Sequence, residues 1–412
     1  MLYNYGFSVI GKSHIAKGAC CQDSHAIKEL ENGWVVAAVA DGVGSAKNSQ
    51  IGSKIAAEIV VDFCAKYMPP DYSIIGIKSM LRTAYNYALK QIIKESEKTG
   101  EPLESYDTTL TTVIYDGHRI IYGHSGDGAI IGLTVFGDYI KITAPQKGED
   151  LVSVIPLRAG YTSWVIDSYE EELAAVMLMT DGMLDYVLCP YLLNQSEEYD
   201  VYTPIATFFA DPYGVPKNKK EWNKVKNEIL EFITMEDSYD YSKFYSRLEK
   251  IYKKRLNKET AEVVSTLYET KYSIAFMQSA DDDKTLVTLI NPALSVETKR
   301  TDYYSEPDWA ELQERWNKKA YPHLYSDHAD LEEAEECDKK LPENDLVSDN
   351  QSADAPDSNN HSDSAVSFNK EKITVNEETE ILDADSSECQ DALRQSNPHN
   401  KEKKKWLDFL HN

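Results

Sequence analysis

The chain predicts an α+β domain, and three observations carry that expectation. Charge-free apolar runs of strand length stand at residues 34–40 and 174–180. Two consecutive amphipathic helical stretches follow the first run, and short turn-punctuated strands come after them. A Tyr-, Lys- and Glu-rich stretch with helical periodicity then interrupts the later strands. Strands and helices that cluster in separate runs suit α+β rather than a regular βαβ alternation.

In chain order, YGFSVI (5–10) reads as a first strand and GKSHIAKGACCQDS as a polar loop. Ala26–Leu30 begins a second strand, which turns at Glu31-Asn32-Gly33 into Trp34–Ala40. That uncharged run suits a central strand covered on both faces. Ser49 to about Lys66 reads as a helix, with Ile51, Ile55, Ile59 and Phe63 recurring on one face. Pro69-Pro70 breaks it, and Ser73 to about Lys98 makes a second helix stopped by Gly100. Strands are expected at Thr109–Tyr115, Arg119–Gly123, Ala129–Phe136, Tyr139–Ile142 and 174–180, and again at Lys271–Gln278 and Leu286–Ile290. Trp34, Met177 and Met179 lie in strand runs and read as core.

Residues 186–270, with helical periodicity in 222–256 and no strand signal, read as a helical insertion, with Arg247–Lys258 as its solvated face. Its place between two acidic motifs suggests a substrate-docking role. We expect a domain over 1–295 and, over 296–412, an acidic tail too poor in apolar groups to offset ordering entropy. The last stretch, KEKKKWLDFLHN, is basic and aromatic and reads as a frayed end or a short docking peptide.

The 412 residues carry a net charge of -26, and residues 321–400 alone hold 21 acidic against 5 basic side chains. That acidity argues against nucleic-acid binding. The tail is a candidate to meet a basic surface on a kinase partner or to fold back over the cleft. The six cysteines show no metal-type spacing, and Cys20-Cys21 starts a disulfide framework poorly, so reduced cytoplasmic thiols are expected. No signal peptide is evident, and no apolar run approaches the roughly 18 residues of a membrane span.

Four acidic turns sit at strand ends: Asp41-Gly42, Gly126-Asp127-Gly128, Asp181-Gly182 with Asp185, and Asp281-Asp282-Asp283. Each alone is an ordinary turn. Converging on one cleft, these carboxylates would repel unless cations neutralise them. With oxygen donors only, and no matching His or Cys spacing, the expected ions are Mg²⁺ or Mn²⁺ rather than Zn²⁺.

In order, QD at 22–23, VVAAVADGVGSA at 35–46, DTTLTTVIY at 107–115, GHSGDG at 123–128, LMTDGMLD at 178–185 and DDDKTLVTL at 281–289 resemble the metal-dependent type 2C serine/threonine protein phosphatases, particularly their bacterial branch. The resemblance spans roughly residues 5–292. It implies a four-layer α-β-β-α sandwich of two antiparallel sheets flanked by helices, and hydrolysis of phosphoserine or phosphothreonine in proteins. It implies two Mn²⁺ or Mg²⁺ ions, a third weaker one, and in-line attack by a hydroxide held between the first two. By position, Asp41 would bridge the two ions with the Gly42 carbonyl beside it, and Asp181 and Asp282 would hold one of them. Asp127 and Asp185 would serve the third, and Asp23 would hold metal-bound water.

Two departures stand out. Val43 occupies the position of a family histidine, and Gly18 that of a phosphate-gripping arginine. His14 and Lys17, in the same loop, are the candidates for proton donor and phosphate contact. His14 reads equally well as a structural histidine and Lys17 as an ordinary solvated lysine. Gln22 replaces an acidic residue. Two alternatives remain open: a silent phosphoprotein-binding scaffold, which the missing His and Arg favour, and a hydrolase of small phosphoesters. The retained carboxylates weigh against the scaffold, because unneutralised buried charge is costly.

Overall fold

Strand β3 (Val35–Ala40) is buried along its whole length, and its alternating side chains explain why the core is layered. Val36, Ala38 and Ala40 join one apolar cluster, whereas Val35, Ala37 and Val39 join another. Side chains that alternate without a polar face require apolar cover on both sides. The structure is a computed structural model, and it describes residues 1–148, 153–188, 201–234, 239–256, 258, 281–304 and 308–322.

Two five-stranded antiparallel sheets result. One runs β2 (Ser24–Glu29), β3, β4 (Leu110–Tyr115), β5 (Ile120–Ser125), β8 (Val165–Tyr169). The other runs β1 (Tyr3–Val9), β10 (Lys284–Ile290), β9 (Leu173–Met179), β6 (Ala129–Thr134), β7 (Tyr139–Lys141). Val113, Tyr115, Ile130, Val176, Leu178, Val287 and Leu289 meet the inner face of β3 between them. Helices α2 (Ser49–Tyr67) and α3 (Ile74–Thr99) cover the outer face of the first sheet. Helices α4 (Asp181–Val187), α5 (Thr203–Ala210), α6 (Lys219–Thr234) and α7 (Tyr241–Arg255) cover the second. This is the four-layer α-β-β-α sandwich.

Within the described residues, the expected strands and the two long helices appear with ends shifted by a few residues. Ser73 caps α3 by accepting the Gly76 N–H at 3.2 Å, and Gly100 ends it. The stripe that α2 buries differs from the one expected. Gly52, Ser53, Ala56, Ala57, Val60, Val61 and Cys64 are buried, while Ile51, Ile55 and Phe63 lie only partly covered at its side. Small residues let α2 sit close against β2, β3 and α3. The segment expected as a polar loop holds a six-residue helix, α1 (Lys12–Lys17), and β8, whose exposure is mixed, has no counterpart among the expected strands.

The described helices within 186–270 pack into the core of the second sheet. Ile205, Phe208 and Phe209 share one core with Tyr5, Phe7, Met177 and Leu286, and the Tyr5 hydroxyl donates to Phe209 O at 2.7 Å. These helices form the outer layer of the second sheet, so deleting 190–268 would uncover its apolar face. Arg247–Lys258 is not simply solvated. Arg247 is 7 % exposed and its Nε donates to Phe208 O; Arg255 is 6 % exposed and pairs with Asp211 at 2.5 Å. The packed chain also continues beyond 295. Val296 and Tyr304 are buried, the Arg255 guanidinium lies over the Tyr304 ring, and Tyr303 accepts the Tyr139 N–H. Helix α8 (Trp309–Ala320) follows, capped by Asp308. The expected strand at 271–278, the tail beyond 322 and the terminal basic-aromatic stretch lie outside the described residues. Among the described residues, no helix is long and apolar enough to cross a membrane.

Candidate active site

The acidic turns meet at one end of the sandwich because each ends or begins a strand of the two packed sheets. Asp41 leaves β3 with its backbone held by a threonine pair: its N–H donates to Thr109 Oγ1, and its carbonyl accepts from Thr108 Oγ1 and the Thr109 N–H, all within 2.9 Å. Gly42 is buried and bridges to Thr108. Asp127 sits in the β5–β6 turn, where Gly126 takes φ 119°, a conformation that glycine adopts without strain. Asp181 opens α4 directly after β9, its Oδ1 accepting the Gly182 N–H at 2.7 Å. One carboxylate oxygen from each of Asp41, Asp127 and Asp181 lies within 4.8 Å of the others.

Asp23 is 6 % exposed and accepts from Thr180 Oγ1 at 2.7 Å through Oδ2, while its buried Oδ1 has no partner among the described residues. Asp282 falls in a second cluster, with His14 and Asp283. Its charge nevertheless bears on both Asp181 and Asp185. Asp185 stands at the solvent edge of the same cleft.

Burial and mutual repulsion dominate the electrostatics. Burial pushes the Asp23 carboxyl up to about 7, with Asp283 adding to the rise and the Thr180 and Thr285 hydroxyls opposing it. Burial and then the charge of Asp127 raise Asp181 to about 6. Asp41 rises well above the carboxylate range through burial, then Asp23 and Asp181. Desolvation, then Asp282, raises Asp185. A crowded all-oxygen donor set with an unpartnered buried carboxylate oxygen fits a hard divalent cation.

The pH dependence has a definite sign. Folded carboxylates with raised pKa hold protons that the unfolded chain has already released, so metal-free stability falls as pH rises between about 4 and 7. Thermal melts of the metal-free protein should show Tm declining across that window. Added Mn²⁺ should reverse the trend, since it competes with those protons. A metal-free Tm that rises through the window would contradict this electrostatic picture.

His14 and Lys17 part company. His14 is buried on α1, its Nδ1 2.9 Å from Asp283 Oδ1 but outside hydrogen-bond alignment. Lys17 is exposed in the last turn of α1. Gly18 ends α1 with φ 66°, so an arginine at that position would be strained.

Two residues to which the sequence assigned no individual role shape the site. Asp283, 2 % exposed, accepts the N–H groups of Gly11 at 2.7 Å and Gln22 at 2.5 Å, tying the α1 segment to β10. Lys147, between β7 and β8, pairs with Asp127. Nothing in KGED at 147–150 marks a cleft residue.

A family model described as protein phosphatase 2C matches residues 10–227, more than half of the chain. Solved structures similar to this chain include the catalytic domain of the serine threonine protein phosphatase PstP in complex with two manganese ions. It is 14 % identical, with a TM-score of 0.41 and coverage of 70 % of this chain and 97 % of that one. The S. agalactiae serine/threonine phosphatase is 15 % identical, with a TM-score of 0.42 and coverage of 72 % and 100 %. The Mycobacterium tuberculosis serine/threonine phosphatase PstP/Ppp is 13 % identical, with a TM-score of 0.39 and coverage of 70 % and 98 %. No curated protein matches the chain. With the family model covering most of the strands and the turns of Asp23, Asp41, Asp127 and Asp181, the chain belongs to the protein phosphatase 2C family and is a phosphatase of that family.

Proposed function

We propose that this phosphatase removes phosphate from phosphoserine and phosphothreonine in proteins, using two Mn²⁺ or Mg²⁺ ions with a third, weaker site, in the bacterial cytoplasm. The observation that carries the reading is the convergence of Asp41, Asp127 and Asp181 within 4.8 Å, at carboxyls that burial and repulsion make costly to ionise without cations. Asp41, the Gly42 carbonyl, Asp181 and Asp282 would hold two ions, and Asp127 with Asp185 the third. When bound, the ions neutralise phosphoryl charge and make a nucleophile available at neutral pH.

The chain's own residues supply the rest. The Thr108–Thr109 pair fixes Asp41, Thr180 fixes Asp23, and Asp283 holds the α1 segment against the cleft. Asp23 Oδ1, buried and without a partner among the described residues, would accept a hydrogen bond from water. The buried His14 is the candidate to donate a proton to the leaving alkoxide, since Val43 has no proton to give; Lys17, exposed, is the weaker candidate for phosphate contact. Partners would be phosphorylated proteins, with a serine/threonine kinase as a candidate.

The test compares initial rates on a phosphothreonine peptide and a nucleotide, each with Mn²⁺ or chelator. Turnover of the peptide only, and only with metal, is expected. Preference for the nucleotide would replace this reading with small-phosphoester hydrolysis. Peptide binding without turnover under any metal would replace it with the scaffold.

A further inference from the structure

Lys147 reaches the cleft from a strap whose backbone is fixed. The Gln146 N–H donates to Gly126 O at 2.8 Å, and the Gly126 N–H donates to Gln146 Oε1 at 3.0 Å. Gln146 Nε2 donates to Ser163 O at 3.0 Å, and its carbonyl accepts the Ile155 N–H. Lys147 itself bridges to Val154, and Ala144 O lies 3.2 Å from His124 Nε2. The strap is thus pinned along His124–Gly126, beside Asp127. The four-carbon stem of Lys147 carries the ammonium from this pinned backbone onto Asp127 Oδ2. The Asp127 side chain is 7 % exposed and that of Lys147 is 35 % exposed. The carboxylate is therefore desolvated, whereas the lysine keeps a route to solvent.

An ion pair at an exposed site contributes little. This one differs because its acidic partner also faces Asp41 and Asp181, and the ammonium lies within electrostatic range of both. We infer that Lys147 is a tethered cation for the Asp127 arm of the cleft, which a divalent ion must displace to bind there. This rests on the divalent-cation reading of the cleft. It follows that metal binding is stepwise, with the Asp127 step the weakest because there, among the described residues, the ion competes with a charge built into the chain.

The experiment is Mn²⁺ titration calorimetry on the full chain and its K147Q, K147R, D127N and D41N variants. Metal-free melts of the wild type, K147Q, D127N and the K147Q/D127N double variant accompany it. K147Q should tighten the weakest Mn²⁺ step about tenfold, the low end of what a contacting opposite charge does to a carboxylate's occupancy. K147R should bind as the wild type does. Without metal, K147Q should melt below the wild type, and D127N should erase that difference. Superposable wild-type and K147Q isotherms, or loss of Mn²⁺ binding in K147Q, would overturn the inference while leaving the metal reading intact. A wild type that takes up no Mn²⁺, like D41N, would overturn both; the two failures are told apart by whether the wild type binds.

Discussion

Asp41→Asn should lose at least about a thousandfold in kcat on a phosphothreonine peptide, the roughly 4 kcal/mol expected when electrostatic stabilisation of the reacting group is removed. Asparagine keeps the shape of the side chain, and the backbone clamp from Thr108 and Thr109 does not depend on the carboxylate. The loss is therefore one of charge. The same substitution should raise the metal-free Tm at pH 7.5. Burial and the neighbouring Asp23 and Asp181 push the Asp41 carboxyl up, so its ionised form costs stability at that pH, and a neutral amide removes the cost. Higher stability with lost activity separates a functional carboxylate from a structural one. Thermal melts beside steady-state rates make the comparison. A variant that is both less stable and inactive would show that Asp41 holds the fold instead.

Asp211→Ala should be the most destabilising single change away from the cleft, by about 3–5 kcal/mol, because it leaves a buried guanidinium uncompensated. The Asp211–Arg255 side chains are both fully buried. Arg255 also reaches toward the Gly137 and Glu297 carbonyls and lies over Tyr304, so one cation joins α7, the β6–β7 turn and the segment after β10. For a domain of this size the loss lowers Tm by roughly 10 °C. Replacing both partners, as in Asp211→Leu with Arg255→Met, should recover much of it, since apolar side chains of similar volume carry no desolvation cost. Urea unfolding of the three proteins tests this. Equal destabilisation by the single and double changes would show that shape rather than charge matters at that site.

What was legible in the chain followed from local chemistry. β3 and β9 announced themselves as charge-free runs, and α3 as a stretch with a serine cap and a glycine stop. The carboxylates that converge were legible because strand-end Asp-Gly turns recur. What was not legible depended on tertiary pairing. Lys147 reaches the cleft from a strap held by pairings such as Gln146 with Gly126, contacts that no spacing encodes. Within Asp281-Asp282-Asp283, the buried clamp is Asp283, and the run gives no sign of which carboxylate turns inward. Arg247 and Arg255 looked solvated because basic helical faces usually are, yet aromatic rings and carbonyls enclose them. In α2 the fourfold spacing of isoleucines drew attention from the neighbouring small-residue stripe that does the packing.

Chelation followed by re-addition decides whether the carboxylate cleft dephosphorylates proteins through divalent cations. The purified chain is stripped with chelator, and its rate on a phosphothreonine peptide is followed as Mn²⁺ is returned. No turnover is expected in the stripped protein, with recovery as Mn²⁺ is added. Undiminished turnover after complete stripping, or none at any Mn²⁺ or Mg²⁺ concentration, would contradict it.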